Sequence, residues 1–166
     1  MSHSTHHEPS NLDGSKQVDL VIGSEIYESM VDHCLVGNPL ECCGILAGKS
    51  GRAWQIYRLP NADQSETRYN ADPTALIKAV QEMRRTGTEI MAIYHSHPRW
   101  QPIPSQTDLK ENHYGEVPRI IVGLLKSPPE CRVWRFLDNP LRYEELTWAL
   151  EDLPSASASA LNSAPV

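Results

Sequence analysis

The sequence contains no C-x-x-C pair among its four cysteines, which removes a zinc knuckle and a thioredoxin-like redox site from consideration. Cys42 and Cys43 are adjacent, while Cys34 and Cys131 stand alone. That spacing reads as reduced, mostly buried thiols rather than a disulfide framework. Basic charge is also scarce. Fifteen Lys and Arg against twenty-one Asp and Glu leave a net charge of −6, which argues against a nucleic-acid backbone as the main partner. No apolar run approaches the ~18–20 residues a membrane span needs. The first sixteen residues carry no apolar h-region of a secretory signal. These absences point to a soluble, cytoplasmic protein with no membrane and no nucleic acid among its partners.

What remains suits one domain, since domains cluster near ~100–150 residues. Residues 1–16 are expected to form a disordered head carrying His3, His6 and His7. Residues 17–150 are expected to hold the domain, and residues 151–166 a disordered Ser/Ala tail. Between the ends, helical and strand periodicities alternate. Val18–Ile22 reads as an opening strand, followed by a helix with Ser24 as N-cap and Ile26, Met30, Val31 and Cys34 on one face. Gly37 and Pro39 stop it. Cys43–Gly48 and Arg52–Leu59 read as a hairpin.

Asp72-Pro73 opens a second helix, with a stripe of Leu76, Ile77, Val80 and Met83 and a stop at Gly87. Glu89–His97 reads as a strand with Ile90, Ala92 and Tyr94 on one face and Met91, Ile93, His95 and His97 on the other. A short helix from Ser105 follows, then strands at Ile120–Leu125 and Cys131–Leu137, with Tyr143–Leu146 as an edge strand or terminal turn. This order gives an α+β fold, a single mixed β-sheet flanked by helices.

Chemistry concentrates in His95-Ser96-His97-Pro98 and in Ser105-x-x-Asp108. On a strand, His95 and His97 project from the same face. Two imidazoles and one carboxylate would make an open tetrahedral zinc site with a place left for water. An ordinary histidine pair is the plainer reading of His95 and His97, and a simple capping box is the plainer reading of Ser105 and Asp108. The capping-box and zinc-ligand readings of Asp108 are compatible, because one carboxylate oxygen can serve the backbone while the other faces a metal. Glu41 leads into a very apolar strand, where a charge is costly unless paired or used. Ser96 points away from the two histidines and receives no chemical role. His113 reads as a surface helix residue or a supporting partner of Asp108, and Trp100 as a flank for substrate or a loop anchor.

Glu41 before Cys43-Gly44 and Leu46-x-Gly48, then His95-Ser96-His97-Pro98 and Ser105-x-x-Asp108, resembles the JAMM (MPN+) metalloprotease motif over about residues 18–147. Asn61 and Tyr69-Asn70-Ala71-Asp72-Pro73 resemble its short bacterial branch, which includes peptidases acting on ubiquitin-like sulfur-carrier proteins. The resemblance implies an MPN/JAB1, cytidine-deaminase-like architecture and one Zn2+ held by His95, His97 and Asp108. It implies Glu41 as general acid/base and Ser105 as the hydroxyl that steadies the oxyanion. It also implies a substrate with a Gly-Gly tail, laid beside an exposed strand and cut after its terminal glycine. Three rivals stand beside it. One is a non-enzymatic MPN-type interaction module, another a cysteine hydrolase built on Cys43 with His95 or His97, and the last a RadC-like DNA-repair-associated protein. Oligomeric state is not encoded in anything legible, and a homo-oligomer stays open.

Overall fold

A computed structural model describes residues 18–138 and 141–154. The head expected to be disordered, and the tail beyond residue 154, lie outside the described residues. The strands are β1 (Leu20–Gly23), β2 (Cys43–Lys49), β3 (Arg52–Leu59), β4 (Glu89–His97), β5 (Arg119–Gly123), β6 (Glu130–Asp138), β7 (Leu141–Glu145) and β8 (Trp148–Glu151). They form one mixed sheet in the order β7-β6-β5-β4-β2-β3-β1-β8. The helices are α1 (Ser24–Gly37), α2 (Pro73–Thr86) and α3 (Gln106–Lys110). β4 is an interior strand, antiparallel to β2 and parallel to β5.

The two faces of the sheet are covered differently. On one, Ile26, Met30 and Cys34 of α1 pack with Leu46, Ala92, Tyr94, Ile120 and Val133 in the main core. On the other, Ala79 and Met83 of α2 cover Cys43, Ile45, Ala47 and Ile93. Farther along that second face, Leu109 of α3 and Ile103 pack on Ile121, Trp134 and Phe136. Between these two clusters the end of β4 lies under neither helix stripe, and there the histidines emerge.

The structure departs from the sequence reading at several places. Ser24 is the first residue of α1 rather than its cap. Gly23, the last residue of β1, is the N-cap, and having no side chain it makes no capping hydrogen bond. Val31 is half-buried rather than core. α2 begins as expected, with the Asp72 carboxylate accepting from Ala75 N, and ends at a left-handed Gly87. Its buried residues are Ala79 and Met83, while Ile77 faces out.

In β4 the strict alternation fails, because the register with β2 jumps from Leu46↔Ala92 to Ala47↔Ile90. Met91 is the extra residue of this bulge. Ile90 therefore packs on the α2 face and Met91 on the α1 face, the reverse of the expected assignment. β7 is an edge strand. β8, not anticipated, closes the other edge by pairing with β1. It carries the sheet to Glu151, past the boundary drawn at residue 150, with Glu151 ion-paired to Arg52. The four cysteines are free, three of them buried. Among the described residues no helix is long and apolar enough to cross a membrane.

Candidate metal and active site

His95 and His97 point from the same face at the end of β4, and Pro98 terminates the strand. The chain then turns through residues 98–105 and returns Asp108 on the first turn of α3. Ser105 is its N-cap, accepting from Asp108 N at 3.1 Å, and Ser105 N donates to Asp108 Oδ2 at 2.6 Å. This is a complete capping box. The same carboxylate faces the histidines, with Oδ1 at 3.2 Å from His95 Nε2 and Oδ2 at 3.5 Å from His97 Nε2. The two Nε2 atoms are 3.1 Å apart. Two ligands of a tetrahedral zinc ion, each ~2.0–2.1 Å from it, stand about 3.3 Å from one another. The three side chains therefore offer one donor atom each at the separations such an ion requires.

The loop behind the site sets the protonation pattern. His97 Nδ1–H donates to the Gln101 carbonyl at 2.9 Å, so the Nε2 lone pair faces Asp108 and His95. Gln101 is held in turn, because Trp134 Nε1–H donates to the neighbouring Pro102 carbonyl at 2.9 Å. Pro102 also lies against Gly123, where a Cβ would meet its ring at 2.7 Å. His95 is fully buried and its ring stacks on Tyr69, with centroids 4.6 Å apart.

Burial raises the Asp108 carboxyl on its own, but the His95 and His97 imidazoles, with Ser105 adding, outweigh it and hold the group well below the usual range. Burial also lowers His95. It acts the same way on His97, yet the Asp108 carboxylate and the Gln101 carbonyl leave that imidazole above its ordinary value.

Glu41 is only 3% exposed. Its Oε2 is buried without a hydrogen-bond partner. Burial pushes the carboxyl up to about 8, with the Asp108 charge adding and His97 opposing. Its backbone is fixed from the loop that follows β3. Glu41 N donates to Ser65 O at 2.8 Å. Asn61 Nδ2 donates to Glu41 O at 3.0 Å and also to Arg68 O, while Asn61 Oδ1 accepts from Asp63 N and Asn70 N. The next residue is clasped from the other side. Cys42 N donates to Ser96 Oγ at 2.8 Å, and Ser96 N donates to Cys42 O at 2.9 Å. Ser96 faces away from the histidines, as expected, and braces the chain beside Glu41.

Glu41, His97, Ser105, Trp100 and Leu125 share one groove of ≈ 540 Å³. Trp100 is 60% exposed, so it is no loop anchor. His113 sits in the loop after α3, which ends at Lys110, and lines a separate cavity. Cys43 does not suit a nucleophile. Burial pushes its thiol up to about 12, and its Sγ points to the Leu59 carbonyl at 3.7 Å. Among the described residues β4 offers no free strand edge at the site, since it is paired with β2 on one side and β5 on the other.

The sequence reading missed the supporting roles of Gln101, Trp134, Asn61 and Tyr69. Asn61 and Tyr69 stand out in the sequence only through the resemblance. Their contacts span 4 to 32 positions of chain, whereas the H-x-H spacing and the Ser105-x-x-Asp108 box are local signals.

Fold and site together define a JAMM-type metallopeptidase domain, an enzyme. The chain belongs to the family of prokaryotic homologs of the JAB domain, whose model matches residues 23–137. It is similar to a probable TtuB-protein conjugate cleaving protease of Thermus thermophilus, 38% identical over 63% of this chain and 70% of that protein. It also resembles the CysO-cysteine peptidase of Mycobacterium tuberculosis, 36% identical over 75% of this chain and 88% of the other. Among solved structures, one from Desulfitobacterium hafniense matches with a TM-score of 0.74 at 26% identity, covering 81% of this chain and 94% of that one. A JAB1/MPN domain protein from Archaeoglobus fulgidus matches with a TM-score of 0.57 at 17% identity, over 83% of this chain and 100% of that one, which speaks to the fold alone.

Proposed function

We propose that this enzyme hydrolyses the peptide or isopeptide bond after the C-terminal glycine of a ubiquitin-like, sulfur-carrier-type protein, with one zinc ion held by His95, His97 and Asp108. The observation that carries this reading is the convergence of three donor atoms beside a buried, unpartnered carboxyl oxygen of Glu41 in one groove. The donor set, two neutral imidazoles and a carboxylate, fits zinc. When bound, zinc supplies a Lewis acid and acidifies water.

The chain's own residues do the rest. Glu41, poised near neutrality by burial, takes a proton from the attacking water and delivers it to the leaving nitrogen. The hydroxyl part of the water joins the glycine carbonyl carbon, the C–N bond breaks, and an amine leaves. Ser105 Oγ accepts from Asp108 N, which leaves its own hydrogen free to donate to the developing oxyanion. Gln101 and Asn61 hold His97 and Glu41 in register. The substrate class rests on the similarity to the conjugate-cleaving and carrier–cysteine peptidases.

The test is intact mass of a sulfur-carrier protein bearing a C-terminal cysteine, before and after incubation with the zinc-loaded chain. Loss of one cysteine residue mass, blocked by chelator and by Glu41→Gln, is expected. An unchanged carrier with protein shown to hold zinc would refute the carrier as substrate.

A further inference from the structure

The groove that holds Glu41 and His97 is mostly neutral, and Arg99 is the one guanidinium or ammonium among its described lining residues. Arg99 follows His97 by two positions, so its Cα lies within ~7 Å of that of His97. Its fork is already engaged by a carboxylate, since Arg99 NH2 donates to Glu66 Oε2 at 2.7 Å. Glu66 belongs to the facing loop, and its neighbour Thr67 lines the same groove. The pair thus ties the two walls together at the mouth. Its side chains are 63% and 40% exposed, and exposed pairs of this kind hold little net free energy and are screened by salt. A carboxylate entering with the substrate can displace Glu66 readily.

The chemistry of the leaving group supplies such a carboxylate in only one case. When a single amino acid is attached through its α-amine to the carrier's terminal glycine, its carboxyl carbon is two bonds from the scissile nitrogen. When the nitrogen is a lysine side chain of a conjugated protein, neutral methylenes stand there instead. We infer that Arg99 binds the α-carboxylate of the leaving group, so that this groove selects carrier adducts of single amino acids over isopeptide-linked proteins; the inference rests on the carrier-peptidase reading above. Glu66 is then a competitor built into the opposite wall. The hydrolysis itself is unchanged: water adds across the C–N bond and the amino acid leaves with its carboxylate intact.

The experiment compares two substrates, the same carrier ending in cysteine with a free carboxylate or with a carboxamide. Each is cut by zinc-loaded full-length protein and followed by intact mass. Wild type is expected to favour the free acid by about tenfold or more in kcat/KM, mostly in KM, as for a charge-assisted hydrogen bond. Arg99→Gln should bring the acid-to-amide ratio towards one. Glu66→Gln should raise it, an opposite sign that a merely structural loop tie would not produce. A wild-type ratio near one, or a preference that survives Arg99→Gln, overturns the assignment while the carrier-peptidase reading stands. Cleavage of neither substrate by metal-loaded protein overturns both.

Discussion

Replacing Trp134 with Phe probes how far the metal cluster depends on its loop. Trp134 is 5% exposed and sits among Ile103, Leu109, Ile121 and Phe136. The substitution removes the N–H that reaches Pro102 O, leaving a buried acceptor unsatisfied at about 1–3 kcal/mol. It also removes part of a packed ring, on the order of another 1 kcal/mol. A total near 3 kcal/mol at ~2–4 °C per kcal/mol for a chain of this size lowers Tm by roughly 6–12 °C. That loss falls equally on the metal-free and zinc-loaded forms.

The coupling shows in their difference. Once Pro102 is released, the adjacent Gln101 carbonyl holds His97 Nδ1 less firmly. Loss of such an outer partner weakens zinc by ~10–100-fold. Acting one residue removed, the change should be about tenfold, or ~1.4 kcal/mol. Differential scanning calorimetry of both forms, with zinc competition against a chromophoric chelator, reads both numbers. The zinc-induced gain in Tm should shrink by roughly 3–6 °C. Equal destabilisation of both forms with unaltered zinc affinity would refute the coupling of Trp134 to His97.

Glu41→Gln should keep zinc and the fold while lowering turnover by about 10²–10⁴, measured by single-turnover cleavage beside metal analysis. Zinc affinity should fall as pH drops, beginning above the ordinary imidazole range, because His97 binds its proton more tightly than an ordinary imidazole and a ligand must be deprotonated. The metal-free protein runs the other way. There protonated His97 beside Asp108 is stabilising below the ordinary value and that gain is lost as pH rises through the raised one, which paired titrations would show. Iodoacetamide at neutral pH should leave activity intact, since burial holds the Cys43 and Cys131 thiols up at about 12, and mass spectrometry would count the adducts. Gly44→Ala should cost more than ~3 kcal/mol by denaturant unfolding, because a Cβ there would lie 2.4 Å from both the Tyr57 carbonyl and the Tyr94 ring.

Local patterns carried most of what the sequence disclosed. H-x-H on a strand bounded by Pro98 announces two side chains on one face, and Ser105-x-x-Asp108 announces a capped turn that aims a carboxylate back. Both are contacts within four residues. The β4 bulge was invisible because it depends on how Leu46 and Ala47 meet a distant strand. Ile77 faces out although its spacing suits the stripe, because the buried stripe of α2 is narrower than its apolar residues suggest. β8 is too short to carry a period of its own and exists by pairing with β1. Trp134 supports His97 from 37 positions away, and no spacing rule reaches that far. The capping-box and zinc readings of Asp108 did not need to be chosen between, since its two oxygens serve both directions.

That sharing changes how substitutions at the site must be interpreted. α3 has five residues, too few to hold a helix without its cap. Asp108→Ala would therefore unwind the very turn that presents Ser105, and a dead enzyme would say nothing about which loss mattered. Asp108→Asn keeps an oxygen for the Ser105 N–H, while it removes the charge and puts an NH2 where the second oxygen faces His95. Read against each other, the two variants divide scaffold from chemistry at a single position.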